Sequence, residues 1–316
     1  MPRAIGANSK LHMAVETEYG TSPGGNWRLM PFVSCDLGAE QPFIDADVIG
    51  LAPNRDVAPP FRDIVTVQGQ AVVPVDLEFI GDWLTLLLGP PTSSGADPDF
   101  ENVFVSGASP LPSNSIELAY PDVPNFDVIA GVRADTCEID FSPSGAATAT
   151  VGLIGQGSTR SATSSSGTPT TRAYGAFNKA QGSIRRNGAL LAQITGGRLT
   201  YSNGAEIVRT IRDDLKIEGV DPGLARATGQ ITSRFENTLL LDDAASNTAL
   251  EVAFEYRISA TRRLTVTLHE TYLALAKTPI QGPAGIEAAF EFRAAYNTSA
   301  GRMMTVTLRN GVESYV

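Results

Sequence analysis

The side chains able to carry acid–base, nucleophilic or metal chemistry are few and widely separated. Histidine occurs twice, as His12 and His269. His269 alternates with apolar neighbours in Thr267-Leu268-His269-Glu270, the pattern of a side chain held in a strand rather than of a catalytic base. Cys35 and Cys137 form neither a metal nor a redox spacing and read as small buried residues in a reducing compartment. The carboxylate pairs Asp45/Asp47, Asp213/Asp214 and Asp242/Asp243 would suit glycoside hydrolysis only if two carboxylates faced each other about 5–10 Å apart. They also lack the alternating ligand loop of a calcium site, so turn and solvent-facing roles account for them better. Gly155-Gln156-Gly157-Ser158-Thr159-Arg160 begins like a dinucleotide glycine motif but lacks the third glycine and the strand-to-helix setting. HExxH, GxxxxGK[ST] and GxSxG are absent from the sequence. Enzymatic activity, a cofactor and a bound metal are therefore not expected.

The elements that would position any site are mostly strands. The best-defined stretch is residues 65–89, VTVQGQAVVPVDLEFIGDWLTLLLG. Val65, Val67 and residues 70–73 read as a strand that Pro74 ends, and Asp76 is placed to cap a following turn. Leu77, Ile80, Trp83, Leu84, Leu87 and Leu88 then recur at helical spacing on one face, and Gly89-Pro90-Pro91 stops the helix. This predicts a short helix lying across a sheet and covering its apolar side. Further strands are predicted at 28–36, 102–105, 115–120, 128–132, 135–141 and 146–154. Residues 155–175, rich in Ser, Thr and Gly, read as a linker. Beyond it strands are predicted at 182–184, 190–194, 198–202, 230–235, 251–259, 263–270, 286–293 and 303–309, with a short helix at 238–245. Residues 1–27 show no clear element.

Composition narrows the class. The 316 residues carry 30 glycines and 20 prolines, which favours a turn-rich β architecture of about two domains. The net charge of −10 argues against a protein that clamps nucleic acid, because such proteins need a basic face to displace counterions. The N-terminal stretch has no continuous apolar region, so no signal peptide is expected, and the run 83–88 is too short to span a bilayer. A soluble protein made in the cytoplasm is the expectation.

Four landmarks recur in one order. Gly38-Ala39-Glu40 returns as Gly204-Ala205-Glu206, and Gly69-Gln70 as Gly229-Gln230. Thr85-Leu86-Leu87-Leu88 returns as Thr238-Leu239-Leu240-Leu241, and Pro143-Ser144-Gly145 as Pro283-Ala284-Gly285. The separations, 166, 160, 153 and 140 residues, shrink steadily, as a duplication with longer loops in the first copy would produce. The units implied are residues 1–157 and 179–316, joined by a linker at 158–178. Residues 37–62 and their counterpart 203–226 are polar and Pro/Gly-rich, too long for idle loops in a compact domain. Their charged residues Glu40, Asp45, Asp47, Arg55 and Arg62, and Glu206, Arg209, Arg212 and Asp213, are candidates for contacts between subunits or rings.

AIGANSKLHMAVETEYGT (residues 4–21), LMPFVSCDLGAEQPFIDADVIG (29–50), PDVPNF (121–126), GVRAD (131–135) and KTPIQGPAGIEAAFEFRAA (277–295) together resemble the major tail tube proteins of long-tailed bacteriophages. The likeness is to the long-chain type of phages with non-contractile tails, and it runs from about residue 4 to residue 309. It implies a β-rich α+β fold of two tandem β-sandwich or half-barrel units, each flanked by a short α-helix. It also implies a structural virion protein assembled in the host cytoplasm into stacked rings, trimeric with pseudo-sixfold symmetry if the chain is duplicated and hexameric if it is not. The implied partners are other copies of the chain, a tape measure protein in the lumen, and the tail terminator and distal tail or baseplate proteins at the ends. DNA would pass without specific binding and no membrane would be involved. Three chains at −10 would give a ring of about −30, and an acidic lumen would repel the phosphate backbone. The alternative reading is a virion decoration or cell-surface adhesion β-protein, which would stay monomeric.

Overall fold

The structure, a computed structural model, describes residues 3–50, 54–280 and 282–315. Pro53 of the first long loop and Gln281 near the last turn lie outside the described residues. The fold is β-rich, with two α-helices, α1 (Ile80–Leu88) and α2 (Leu239–Ser246), and antiparallel sheets that do not close into a barrel.

Strand order explains how the chain builds its core. In the first half Lys10–Val15 pairs with Asn114–Tyr120, which pairs with Asn125–Phe141, then Thr148–Gly155, Thr66–Pro74 and the short strands Ser34–Cys35 and Gly38–Glu40. In the second half the order is Gly182–Arg186, Leu250–Arg257, Arg263–Leu273, Glu287–Ala294, Arg226–Arg234 and Ile194–Ser202. Each half then adds a last strand to the same member of its sheet: Gly157–Ser161 on Asn125–Phe141, and Met304–Asn310 on Arg263–Leu273. Read along the chain, both halves visit these positions in the same sequence, with the helix at the same step.

The apolar residues of these strands alternate as strand pleating requires. Val67, Ala71 and Val73 are buried on one side, and Gln68 and Gln70 are exposed on the other. Ala149, Val151, Leu153, Ala288, Phe290 and Phe292 continue the same core.

The cap on α1 is as the sequence predicts. Asp76, fully buried, accepts the amides of Glu78, Phe79 and Ile80 at 2.9–3.2 Å. Burial pushes its carboxyl up to about 6 although those three amides pull the other way. A folded value above the unfolded one means that the native state takes up a proton first as pH falls. Stability contributed by protonated Asp76 is therefore present at about pH 4 and lost as pH rises through 6. We expect Asp76→Ala to cost roughly 1–2 kcal/mol near neutral pH. Asp76→Asn should cost less there, and it should flatten the wild-type decline between pH 4 and 6, read from urea midpoints.

Several elements differ from the sequence expectation. The helix α1 is buried all round, Gly81, Asp82 and Thr85 included, and does not present a single apolar face. Its outer side is covered by Tyr315, whose hydroxyl donates to the Glu78 carbonyl at 2.9 Å, and by Arg172, which pairs with Asp82 at 2.7 Å. The strands predicted at 128–132 and 135–141 are one strand, Asn125–Phe141, bent at Gly131 (φ 66°) and at a bulge between Ala134 and Thr136. Residues 28–36 divide into Arg28–Met30 and Ser34–Cys35.

The stretch 158–178 is no free linker. Its first residues belong to Gly157–Ser161, Thr170 exchanges backbone bonds with Trp27 and Leu29, and Phe177 is 1% exposed against Val75 and Ala147. Its Ser/Thr/Gly composition suits a segment that follows an existing surface through backbone bonds. Lys10–Val15, in a region where no element was predicted, is a central buried strand.

Candidate functional site

Buried carboxylates and imidazoles are the first place to look for chemistry. Glu16, Glu117 and His12 each have local partners, whereas the buried Tyr19 hydroxyl, the Trp27 and Trp83 indole N–H groups and the Thr271 hydroxyl have none among the described residues. His12 and Glu117 face each other across paired strands at 2.9 Å, and Ser164 and the Ser165 amide also donate to Glu117. Burial opposes ionisation of Glu117, but these donors outweigh it and hold the carboxyl below its ordinary value. Glu16 accepts Ser113, Ser115 and the amides of Gly20 and Gly131 at 2.7–3.0 Å. His269 bonds Thr305 on the neighbouring strand at 2.7 Å. Cys35 and Cys137 are free thiols, and burial pushes both up, Cys137 to about 12. Of the carboxylate pairs, Asp242 accepts Thr238, Asp243 forms a two-bond pair with Arg186, and Asp214 pairs with Arg212. Asp45, Asp47 and Asp213 are exposed. Among the described residues no group of three or more His, Cys, Asp or Glu could hold a metal, and no helix is long and apolar enough to cross a membrane. These networks hold strands together.

Each long loop contains a two-stranded ribbon that projects from its sheet. In the first, Phe43–Ile44 pairs with Phe61–Arg62; in the second, Glu206–Val208 pairs with Gly219–Asp221. Their surroundings differ. The second arm lies on the first half of the chain: Ile217 and Val220 bury against Ile154, with Ile64 and Ile207 around them. The Val65 amide donates to the Leu215 carbonyl at 2.9 Å, and Arg133 donates to the Val220 carbonyl. Among its described residues the first arm has no such seat. Phe43 (67% exposed), Phe61 (64%), Val57 (80%) and Ile49 (99%) stand in solvent.

The charged arm candidates fall accordingly. Glu40 ends the strand Gly38–Glu40 opposite Thr66, while Asp45, Asp47, Arg55 and Arg62 are exposed along the first arm. Glu206, Arg209 and Asp213 are exposed on the second, where Arg212 is held within the arm by Asp214 and Glu218.

Of the repeated landmarks, Gly69 and Gly229 occupy the same sheet position. Gly69 opposes Leu153 and lies against Leu37, and Gly229 opposes Phe292 and Leu199. The other three pairs are offset. Gly38 opposes Gln68, but the residue opposing Thr228 is Thr200, four before Gly204. Leu86 lies late in α1 and Leu239 opens α2. Gly145 and Gly285 precede their strands by three residues and two. Short matches slide by a turn or a bulge when strands drift in length.

A feature that sequence reasoning missed is the seam between halves. The C-terminal part of Asn125–Phe141 pairs, from Thr136 to Phe141, with the strand Ile194–Ser202 of the second half. One curved sheet thus runs from residues 34–40 through both halves to Glu287–Ala294. The double burial of Cys137, Ile139 and Phe141 against an otherwise polar alternation was the available signal for its core side, but nothing in that alternation identifies the partner strand. At one end of this sheet, residues 34–40 pair only with Thr66–Pro74, leaving an open edge among the described residues. No curated protein matches the chain. A family model described as phage tail tube protein matches residues 6–294, nearly the whole of the curved sheet and both arms, and the chain therefore belongs to the phage tail tube protein family.

Proposed function

We propose that this chain is the tail tube subunit of a long-tailed phage with a non-contractile tail. Three copies form a ring with pseudo-sixfold symmetry, and stacked rings enclose a bore that conducts DNA during ejection. The proposal includes two tandem units, residues 1–157 and 179–316, each with its own helix and arm. Family membership makes the protein a structural component of the virion that assembles into a tube. The observation that best supports the finer reading is the repeated strand order of the two halves, with one curved sheet crossing the seam between them. A subunit that already contains one unit-to-unit seam needs only to repeat it to build a ring.

The solvent side of the curved sheet is assigned to the bore. It carries Gln68, Gln70, Glu138, Thr200, Gln230 and Glu291, polar or acidic groups, together with the exposed Arg226 and Arg293. Arg198 on this side is partnered by Glu138 at 3.5 Å. Such a lining would let a polyanion slide, the inverse of the counterion displacement that binders use. The tape measure protein, the tail terminator and the distal tail or baseplate proteins are assigned as lumen and end partners on family grounds alone.

Negative-stain microscopy of the purified protein tests the reading. Hollow rods, or rings with three strong and three weaker lobes viewed end-on, are the expected result. A protein that stays monomeric at high concentration, as a decoration or adhesion module would, overturns it.

A further inference from the structure

The seam inside the chain predicts, residue by residue, the seam between chains. Resting on the ring reading above, we infer that residues 275–280 of one copy add as a strand to the open edge, residues 35–40, of the next copy. The chain contains a template for this pairing. Thr136–Phe141 pairs antiparallel with residues 197–202, with Thr136 opposite Ser202 and Phe141 opposite Gly197.

Both partners of that template have counterparts in the other half. Ala134 and Leu273 hold the same position, opposite Leu153 and Phe292, so with a bulge after Leu273 matching the one after Ala134, 136–141 corresponds to 275–280. Gly69 and Gly229 hold the same position, and their neighbours Leu37 and Leu199 place 197–202 on 35–40. In the first half, 136–141 is a strand with a partner on each side. In the second half, 275–280 has no strand pairing, and Ile280 is 78% exposed. The unpaired segment and the edge paired on one side only are therefore the two that the internal seam would join.

Hydrogen-bond phase agrees without adjustment. The Asp36 amide donates to the Gln70 carbonyl, so Cys35, Leu37 and Ala39 turn their backbone groups to the open edge. In the template the Asn203 amide donates to the Asp135 carbonyl, which makes 137/201, 139/199 and 141/197 the hydrogen-bonded pairs. Transferred, these become Ala276/Ala39, Thr278/Leu37 and Ile280/Cys35, the same three edge residues. Pro279 falls opposite Asp36 in a non-hydrogen-bonded pair, where its missing amide faces away from the new partner. Ile280 takes the place that Phe141 holds in the first half and becomes buried. The first arm follows the same rule. The second arm sits on the first half beside Ile64, so the first arm sits on the next copy's second half beside Leu224. Leu224 stands where Ile64 stands, five residues ahead of the matching glycine, and is 80% exposed.

Cysteine pairs at the proposed non-hydrogen-bonded positions test the register, since only there are Cβ atoms close enough to bridge. In a background with Cys35→Ser and Cys137→Ser, Glu40→Cys with Leu275→Cys should oxidise in assembled tubes to covalent dimers and trimers. The out-of-register pair Asp36→Cys with Leu275→Cys should not. Thr278→Pro, at a solvent-accessible segment, should keep the wild-type circular dichroism and lose tube formation. Tubes seen by microscopy without the specific cross-link, equal linking by both pairs, or tubes that persist in Thr278→Pro overturn the seam while leaving the tube reading intact. Wild-type protein that forms no tubes overturns both.

Discussion

A Gly229→Ala protein is expected to lose about 3 kcal/mol or more of folding stability. A Cβ at this position would lie 1.9 Å from the Arg198 carbonyl oxygen and 2.5 Å from the Phe292 ring. The ring can turn, but the carbonyl is main chain in a paired strand and cannot withdraw without breaking the ladder. Gly69 meets the same obstacle in the first half, where a Cβ would stand 2.5 Å from the Leu37 Cα. The two glycines let the preceding strand approach the strand that carries them closely. Equilibrium unfolding in urea measures the effect. A Gly229→Ala protein within about 0.5 kcal/mol of wild type would mean that the strands do not approach this closely.

Glu16→Ala should be about as damaging, at roughly 3–5 kcal/mol. One carboxylate receives four donors: the Ser113 and Ser115 hydroxyls at 2.7 Å, the Gly131 amide at 2.8 Å and the Gly20 amide at 3.0 Å. Removing it leaves them without an acceptor at the bend of Asn125–Phe141, where Gly131 holds a positive φ. Glu16→Gln keeps one good acceptor but turns an NH2 group towards donors, so its loss should fall between alanine and wild type. The order alanine, glutamine, wild type in unfolding midpoint is the result to seek. An alanine variant within 1 kcal/mol, to order of magnitude, would show that water replaces the carboxylate at little cost.

Legibility in the sequence followed burial geometry. Strands with one wet face announced themselves, as Glu287–Ala294 does with its strict alternation of buried and exposed residues. Lys10–Val15 did not, because four consecutive residues, His12 among them, are covered on both faces and no period-two signal survives. The cap at Asp76 and the stop at Gly89 were readable because they depend on local backbone chemistry. The full burial of α1 was not, since the residues that cover it, Arg172 and Tyr315, come from far along the chain. The arms were visible as Pro/Gly-rich interruptions, but which of them finds a seat depends on a surface assembled from Ile64, Ile154 and Ile217. Of the repeated landmarks, one pair of glycines, Gly69 and Gly229, falls at matching sheet positions, where close backbone approach requires them. The remaining matches were short enough to slide.

The strand Asn125–Phe141 has a mechanical consequence. It is shared by both halves, so the junction inside each subunit, a ladder from Thr136 to Phe141, is also backed by continuous covalent chain. The junctions between subunits would be held by a six-residue strand and an arm alone. A tube made this way alternates reinforced and unreinforced joints around its circumference. Under swelling or shear a tube of the proposed three-membered rings should crack along three lines, never six, and shed intact whole chains.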